Sequence, residues 1–114
     1  MIINNLIFGG SGFIGQHLIQ YLGTDYLNFD IDRSEGNYQF CDIRNKIDFT
    51  IEISDDEVIF NLAALCTIPK YEEKEYYETN ILGAENVCNF AREKNINAIV
   101  FTSSIAPYGM REEE

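Results

Sequence analysis

The fold of this chain is decided by one stretch near its start, Leu6-Ile7-Phe8-Gly9-Gly10-Ser11-Gly12-Phe13-Ile14-Gly15. It reads as a short apolar strand, a glycine-rich turn and the beginning of a helix. Gly9 permits the tight turn, Gly12 leaves room for a close-lying ligand, and Gly15 lets the helix pack closely on the strand. The free N–H groups at the helix start, with the helix dipole behind them, favour a bound phosphate.

An acidic residue follows this turn at the spacing that is typical of dinucleotide-binding folds. The apolar run 26–29 ends at Asp30, about twenty residues after Gly9. In a dinucleotide-binding fold, an acid at this place accepts hydrogen bonds from the adenosine ribose. A plain strand–turn–helix corner without a ligand is the alternative. The spacing and the strand–turn–helix context together favour the dinucleotide site.

The totals restrict the class of protein. The chain has 114 residues, which is enough for one domain covering 1–114. Its net charge of −11 repels phosphate backbones and anionic lipids, so we expect neither nucleic acid nor a membrane surface as partner. No apolar run approaches the roughly 20 residues of a membrane span. The first strand begins close to Met1, so we expect no signal peptide and a cytoplasmic protein.

Cysteine and histidine give no sign of a metal or a triad. Cys41, Cys66 and Cys88 are widely spaced and form no C-x-x-C pair, so neither a disulfide framework nor a zinc site is predicted. We expect three reduced thiols. The single histidine, His17, falls within the first helix pattern, which makes a packing or surface role the expectation and a histidine-based triad improbable.

Apolar strands alternate with amphipathic helices along the rest of the chain. The pattern predicts strands at 4–8, 26–29, 38–40, 58–64 and 98–102, helices at 12–22 and 75–93, a weak helix at 46–53 and a loop at 65–74. Such alternation predicts a doubly wound α/β fold with a parallel sheet in the order 3-2-1-4-5. The ligand crevice is then expected where the order reverses, beside strands one and four.

Helical spacing also predicts which side chains share a face. The first helix would group Ile14, Leu18, Tyr21 and Leu22. The long helix would bury one stripe made of Tyr77, Ile81, Ala84, Cys88 and Ala91.

Several stretches together resemble the extended short-chain dehydrogenase/reductase family, and within it the NAD-dependent epimerase/dehydratases that act on nucleotide sugars. They occur in the family's order and at its spacings across nearly the whole chain. The stretches are Gly9–Gly15, Asp30, Asp42-Ile43-Arg44, Asn61-Leu62-Ala63-Ala64, Asn80-Ile81-Leu82-Gly83 and Phe101-Thr102-Ser103-Ser104 with Tyr108-Gly109. The resemblance implies a Rossmann-type fold that binds NAD.

The resemblance also implies a role for each matching position. Gly9, Gly12, Phe13, Ile14 and Gly15 would hold the pyrophosphate. Asp30 would hold the adenosine ribose and repel the extra phosphate of NADP, and Asp42 with Ile43 would flank the adenine. Leu62, Ala63 and Ala64 would run under the cofactor. Asn80 would be a structural asparagine, and Ser104 matches the family's catalytic hydroxyl, which binds the sugar oxygen undergoing oxidation.

Each role has a plainer alternative. Asp42 could be a turn aspartate, Asn80 a helix-surface residue, and Ser103-Ser104 a cap at the end of a strand. Asp32 and Arg33 could face either the ribose or solvent.

The family's Tyr-x-x-x-Lys pair is absent. The tyrosine acts as general acid/base, and the lysine lowers a phenol pKa that is ordinarily about 10. No tyrosine of this chain is followed by lysine four residues later; Tyr108, for example, is followed by Glu112. We therefore expect the amino-terminal part of the fold, with a truncated sheet. An exposed sheet edge and exposed apolar faces favour association, so we expect a homo-oligomer or a part of a longer protein.

Three functional interpretations stay open at this point. The chain could be the NAD-binding part of a nucleotide-sugar epimerase or dehydratase, with the tyrosine and lysine supplied from elsewhere. It could be a dinucleotide-binding module or sensor without catalysis, which the missing pair favours. It could also be an engineered or cleaved fragment. Retention of Ser104 favours the first interpretation, because a pure binding module has no need of that hydroxyl.

Overall fold

A computed structural model describes residues 3–65 and 71–102 of the chain. These residues form five strands, one separate helix, and a second helical region made of two helices joined by a π-helical turn. The strands are β1 (Ile3–Phe8), β2 (Leu27–Asp30), β3 (Tyr38–Phe40), β4 (Ile53–Asn61) and β5 (Ala98–Phe101). The helices are α1 (Phe13–Leu22), α2 (Glu73–Tyr77) and α3 (Gly83–Glu93), with a π-helical turn (Glu78–Leu82) joining the last two.

The strands form one parallel sheet in the order β3-β2-β1-β4-β5, which confirms the predicted topology. β1 lies at the centre, where Phe8 is opposite Phe29 of β2 and Asn61 of β4. Parallel strands in this order require crossover connections, which the helices and longer loops supply. The carboxyl ends of β1, β2 and β4 therefore meet at one edge of the sheet.

Aromatic packing on one face of the sheet holds α3 in place. The rings of Phe8 and Phe29 stack at 4.8 Å between centroids, and Phe90 of α3 meets Phe8 edge-on at 5.9 Å. All three side chains are almost completely buried. Full burial of one such side chain contributes about 1.5–3 kcal/mol, so this cluster is a main source of the stability of the sheet.

The expected weak helix at 46–53 is wrong. Residues 46–52 have no regular secondary structure, and β4 begins at Ile53. Ile47 is buried, and Phe49 and Ile51 pack against the same core. Alternate residues point the same way in an extended chain, so this every-second-residue apolar pattern is that of an extended segment and not of a helix.

The long helix exists, but its buried face differs from the prediction. Of the predicted stripe, Ala91 is buried as expected, Ala84 and Cys88 are half-buried, and Tyr77 and Ile81 are exposed. The buried residues of α3 are Gly83, Val87, Phe90 and Ala91. The π-helical turn accommodates one extra residue and so rotates α3 relative to α2, which a regular 3.6-residue period does not allow for. On α1, Ile14 and Tyr21 are exposed as well, and the half-buried side chains are Leu18, Ile19 and Leu22.

Candidate functional site

A crevice of about 410 Å³ lies at the carboxyl ends of β1, β2 and β4. Four segments line it. They are the glycine turn, the residues that follow β2, the segment from Cys41 to Arg44, and the segment from Leu62 to Leu65. Tyr71, Glu75 and Thr79 close one side. This is where the strand order reverses, the place at which open α/β sheets bind their ligands.

Gly9 forms the turn that leaves β1. Its φ of +87° lies in the region that favours glycine, and its N–H donates to the carbonyl oxygen of Phe29 at 2.8 Å. A Cβ added here would lie 2.6 Å from the backbone nitrogen of Ala63. The turn thus touches the segment after β4, so the two walls of the crevice are in direct contact.

The amino-terminal end of α1 fits an anion. Gly12 precedes the helix and supplies no side-chain cap, and the first turn contains no acidic residue. The first N–H groups of a helix lack intrahelical acceptors, and a phosphate satisfies them while interacting favourably with the helix dipole. A Cβ on the buried Gly15 would overlap the backbone of Gly10, so the close packing predicted at Gly15 is with the turn itself.

Phe13 and Ile14 were also assigned to the pyrophosphate site. Their side chains are exposed, by 81% and 57%, and they do not line the crevice. Any contact they make with a ligand there would come from their backbone N–H groups in the first turn of α1.

Asp30 stands at the end of β2, facing the glycine turn. Its Oδ2 accepts the Ser11 N–H at 3.0 Å, and its Oδ1 accepts the Asp32 N–H at 2.9 Å. A carboxylate has about four acceptor positions, so each oxygen keeps capacity for a further donor. The residue is only half-buried and lines the crevice, which leaves it accessible to hydrogen-bond donors of a ligand.

Asp42 is engaged by its own neighbour. Its carboxylate accepts the Arg44 backbone N–H at 3.0 Å, and the Arg44 guanidinium binds both oxygens, at 2.6 Å for the Nη2–Oδ2 pair. The hydrogen bond from this guanidinium lowers the pKa of the Asp42 carboxyl. The geometry is that of a turn aspartate, and the adenine role of Asp42 stays a prediction.

Ile43 combines lining and packing. It is buried and borders the crevice, and its carbonyl oxygen accepts a hydrogen bond from the Asn86 side chain at 2.8 Å. Its side chain packs against α3 at Gly83, where an added Cβ would lie only 2.6 Å from the Ile43 Cδ1 atom. Because Gly83 has no side chain, Ile43 of the crevice wall can pack closely against the start of α3.

Leu62, Ala63 and Ala64 follow β4 and all three line the crevice. Leu62 extends the ladder, because its N–H donates to the carbonyl oxygen of Phe8 at 2.8 Å. The N–H of Ala63 is held by the Asn61 side chain at 3.3 Å. The small side chains of the two alanines permit the close approach of a flat or extended ligand, and the predicted place of residues 62–64 under a cofactor stays a prediction.

The structure does not describe one of the predicted site residues. Ser104 lies outside the described residues, as does Cys66.

Within the described part of the chain no group of three His, Cys, Asp or Glu side chains is arranged to hold a metal ion. No described helix is long and apolar enough to cross a membrane.

Sequence reasoning missed two polar residues that shape the site. Ser11 donates its hydroxyl to the Asp32 carbonyl oxygen at 2.6 Å, and Asn28 is completely buried in β2 beneath the glycine turn. A signal for Asn28 was present, since a lone amide interrupts the apolar run of residues 26–29. Buried polar side chains of this kind require hydrogen-bond partners.

The sequence from residue 5 to residue 114 matches the model of the NAD dependent epimerase/dehydratase family. The chain belongs to this family. The glycine turn, the acid at the end of β2 and the crevice at the strand-order reversal all lie within the matched residues.

Similar proteins extend well beyond this chain. The N-acetyl-alpha-D-glucosaminyl-diphospho-ditrans,octacis-undecaprenol 4-epimerase of Escherichia coli is 26% identical, over 96% of this chain and 34% of the relative. A putative UDP-glucose 4-epimerase of Methanocaldococcus jannaschii is 32% identical, over 87% of this chain and 37% of the relative. The chain therefore spans about a third of the length of these curated relatives.

A solved structure has the same fold. The ADP-L-glycero-D-manno-heptose-6-epimerase of Helicobacter pylori superposes with a TM-score of 0.77 at 20% identity, over 98% of this chain and 42% of that one. At this identity the likeness concerns the fold alone.

Proposed function

We propose that the chain binds NAD in the crevice at the carboxyl ends of β1, β2 and β4. The proposal rests on one observation, which is that three features lie around the same crevice. They are the uncapped start of α1 behind Gly12, the accessible carboxylate of Asp30, and the small side chains of Ala63 and Ala64. A dinucleotide needs these three features in this order, for its pyrophosphate, its adenosine ribose and the remainder of its length.

Each segment would then hold one part of the cofactor. The N–H groups in the first turn of α1 would bind the pyrophosphate, and Asp30 would accept the ribose hydroxyls. Asp42 and Ile43 would border the adenine, with Arg44 holding the Asp42 carboxylate in place. Bound NAD supplies a hydride acceptor for the transient oxidation of a sugar hydroxyl, and this chain's contribution is to bind and orient it.

The charges around the crevice support NAD over NADP. Asp30, Asp32, Asp42 and Glu75 line it, and Arg44 is the one cationic side chain among the described lining residues. The extra phosphate of NADP would sit next to the ribose and therefore next to Asp30 and Asp32. Like charges at such distances repel, so we expect a marked preference for NAD.

For the whole reaction we propose transient oxidation of a nucleotide sugar, as in an epimerase or dehydratase. The names of the relatives support this substrate class. Ser104 would bind the sugar oxygen that is oxidised. Because no Tyr-x-x-x-Lys pair occurs in the 114 residues, the proton-transferring group would come from outside them.

A non-catalytic dinucleotide-binding module is the second candidate, because the features that line the crevice account for binding by themselves. The two candidates differ in one measurable property. If the chain is a catalytic part, adding a polypeptide that carries the missing pair should yield product or the absorbance of NADH. If it is a binding module, neither should form with or without that polypeptide.

The expected cytoplasmic location and self-association belong to the same proposal. Cys41 and Cys88 are free thiols, as is usual in a reducing compartment. Val100 and Phe101 on β5 are each 47% exposed, and apolar strand surfaces of this kind favour association. A stable monomer in size-exclusion chromatography with light scattering would contradict self-association.

Calorimetric titration of NAD and NADP tests the proposed cofactor. We expect NAD to bind the chain, and Asp30→Asn to weaken it by about tenfold or more, because charge-assisted hydrogen bonds are lost. The variant should also bind NADP relatively better. Asp48→Asn is a matched control, since it removes the same charge from an exposed position outside the crevice. Failure of the unmodified chain to bind either dinucleotide would overturn the proposal.

A further inference from the structure

An amide side chain is buried completely in the middle of β2. Asn28 has no exposed surface, although its neighbours Leu27 and Phe29 are the apolar residues expected in a parallel strand. Burying an amide without hydrogen bonds is unfavourable, so this position must offer partners. The proposed function described above gives it no role.

Those partners lie in the two loops that border the crevice. Asn28 Oδ1 accepts the Gly10 N–H at 2.8 Å. Its Nδ2 donates to the Ser11 hydroxyl oxygen at 3.1 Å and to the Ser34 hydroxyl oxygen at 2.9 Å. Both amide hydrogens and one acceptor position are thus used. One side chain connects the glycine turn to the loop between β2 and β3.

The same side chain fixes the space available to the turn. A Cβ on Gly10 would lie 2.5 Å from Asn28 Oδ1, so the backbone of the turn rests directly on the amide. Ser11, the next residue, donates its N–H to Asp30 Oδ2 at 3.0 Å. A displacement of the Asn28 amide would therefore reach both the turn and the carboxylate beside it.

We propose that Asn28 is a positioning residue for dinucleotide binding. It acts through Gly10 and Ser11, holding the glycine turn so that α1 presents its first N–H groups to the pyrophosphate. It also keeps Ser11 within reach of the Asp30 carboxylate. Only an amide of this length offers an acceptor to Gly10 and two donors to the serines. Leucine offers neither, and aspartate lacks the donors. The inference rests on the proposed function.

Binding of two ligands to the full chain separates positioning from simple stability. ADP carries a pyrophosphate and adenosine does not. We expect Asn28→Leu to weaken ADP binding by about tenfold or more, and adenosine binding by about threefold or less, because the loss falls on the phosphate contacts. Asn5→Leu is the matched control. It removes a half-buried amide that donates to the Asp25 carbonyl oxygen at 2.9 Å, on β1 and away from the crevice. The control should leave the ratio of the two affinities unchanged.

Amide hydrogen exchange measured without ligand provides a second readout. The Gly10 N–H should be protected in the unmodified chain. In Asn28→Leu it should exchange about tenfold faster or more, while the Leu6 and Ile7 amides of the same strand keep their protection. If Asn28→Leu fails to fold, Ser34→Ala removes one partner of the amide and should weaken ADP binding about twofold to fivefold.

The outcomes separate the two proposals. An unmodified chain that binds neither ADP nor NAD overturns the proposed function, and the exchange of Gly10 then decides whether Asn28 holds the turn. Equal losses for ADP and adenosine in Asn28→Leu, or unchanged exchange at Gly10, would overturn the positioning role.

Discussion

The side chain of Asn80 forms two hydrogen bonds with the backbone of Leu65, a residue 15 positions earlier. Asn80 Oδ1 accepts the Leu65 N–H at 2.8 Å, and Nδ2 donates to the Leu65 carbonyl oxygen at 3.0 Å. Leu65 directly follows the crevice floor of residues 62–64, and Asn80 lies in the π-helical turn. One amide therefore ties the helix to the end of the floor, in agreement with the structural role expected for this asparagine.

Replacing Asn80 should loosen that connection. Asn80→Ala leaves the Leu65 N–H and carbonyl group without their partner, so we expect a loss of about 1–3 kcal/mol in the free energy of unfolding. Asn80→Asp keeps the acceptor and should cost less. Urea denaturation measures both. Asn89→Ala is the control, because Asn89 is exposed on α3 and accepts only an exposed hydrogen bond from Arg92. Equal stabilities of the Asn80 and Asn89 variants would contradict the prediction.

Two glycines with positive φ should respond differently to alanine. Gly23 has φ +71° and no atom near an added Cβ, so Gly23→Ala should cost about 1–3 kcal/mol from backbone strain alone. Gly9 has φ +87°, and its Cβ would also meet the backbone of Ala63. Because backbone cannot move as a flexible side chain does, Gly9→Ala should cost about 1–3 kcal/mol more. Thermal unfolding compares the two variants, and equal costs would show that the turn is not packed against Ala63.

The Asp42–Arg44 pair should make stability depend on pH at the acid end. The pKa of the Asp42 carboxyl is lower in the folded chain than its ordinary value of 3.8, so the folded state holds that proton less tightly. The resulting stability is present above the unfolded pKa and is lost as pH falls through the lower folded value. The pair is partly exposed, so we expect only about 0.2–1 kcal/mol at neutral pH.

Asp42→Asn and Arg44→Gln test this pair together. Each should lower the free energy of unfolding at pH 7 by a similar amount, and the double variant should lose no more than either one. The differences should shrink below the ordinary pKa of aspartate. Additive losses in the double variant would show that the two side chains contribute independently.

Cys41 should be a poorly reactive thiol in spite of its position beside the crevice. Burial, together with the nearby charges of Asp42 and Asp30, raises its pKa to about 11. Since the thiolate is the reactive form, alkylation by iodoacetamide at pH 8 should be much slower at Cys41 than at the half-buried Cys88. Mass spectrometry of the labelled chain, in a Cys66→Ser background, measures both sites. Equal rates would show that the segment carrying Cys41 opens readily.

The raised pKa of Cys41 also implies a loss of stability at alkaline pH. The folded chain holds the thiol proton more tightly than the unfolded chain, so this contribution is complete below the ordinary thiol pKa of 9.0. It is lost as pH rises toward about 11. Cys41→Ala should therefore show a flatter decline of stability over that range than the unmodified chain, as followed by urea denaturation.

Most of the sheet could be predicted from the sequence because strands such as β1 and β4 contain a short apolar stretch, Leu6–Phe8 in one and Val58–Phe60 in the other. Several strands are flanked by glycines or polar loops. The strand at 38–40 has the same first and last residues in the prediction and in the structure. The topology followed from the alternation of strands and helices, since parallel neighbours need right-handed crossovers. These features are local in sequence, and local patterns are what a single sequence displays.

The errors have more than one origin: the alternating apolar pattern at 46–53 is present in the sequence itself, whereas other features appear only in the folded backbone. The π-helical turn rotates α3, and nothing in the spacing of Tyr77 and Ile81 reveals that rotation. The hydrogen bonds of Asn28 join residues up to 18 positions apart, and they become visible only when β2 lies beside β1. In contrast, the turn formed by Asp42 and Arg44 spans two residues and was among the alternatives considered from the sequence.

The central position of β1 sets the order in which the molecule can assemble. β1 pairs with β4, whose Asn61 lies more than 50 residues beyond Phe8. Closing so long a loop costs entropy before any contact compensates for it, which makes such pairings slow steps. The backbone contact between Gly9 and Ala63 exists only after that step. A nascent chain consequently carries the glycine turn long before it has a complete crevice, and ligand capture belongs to the end of folding.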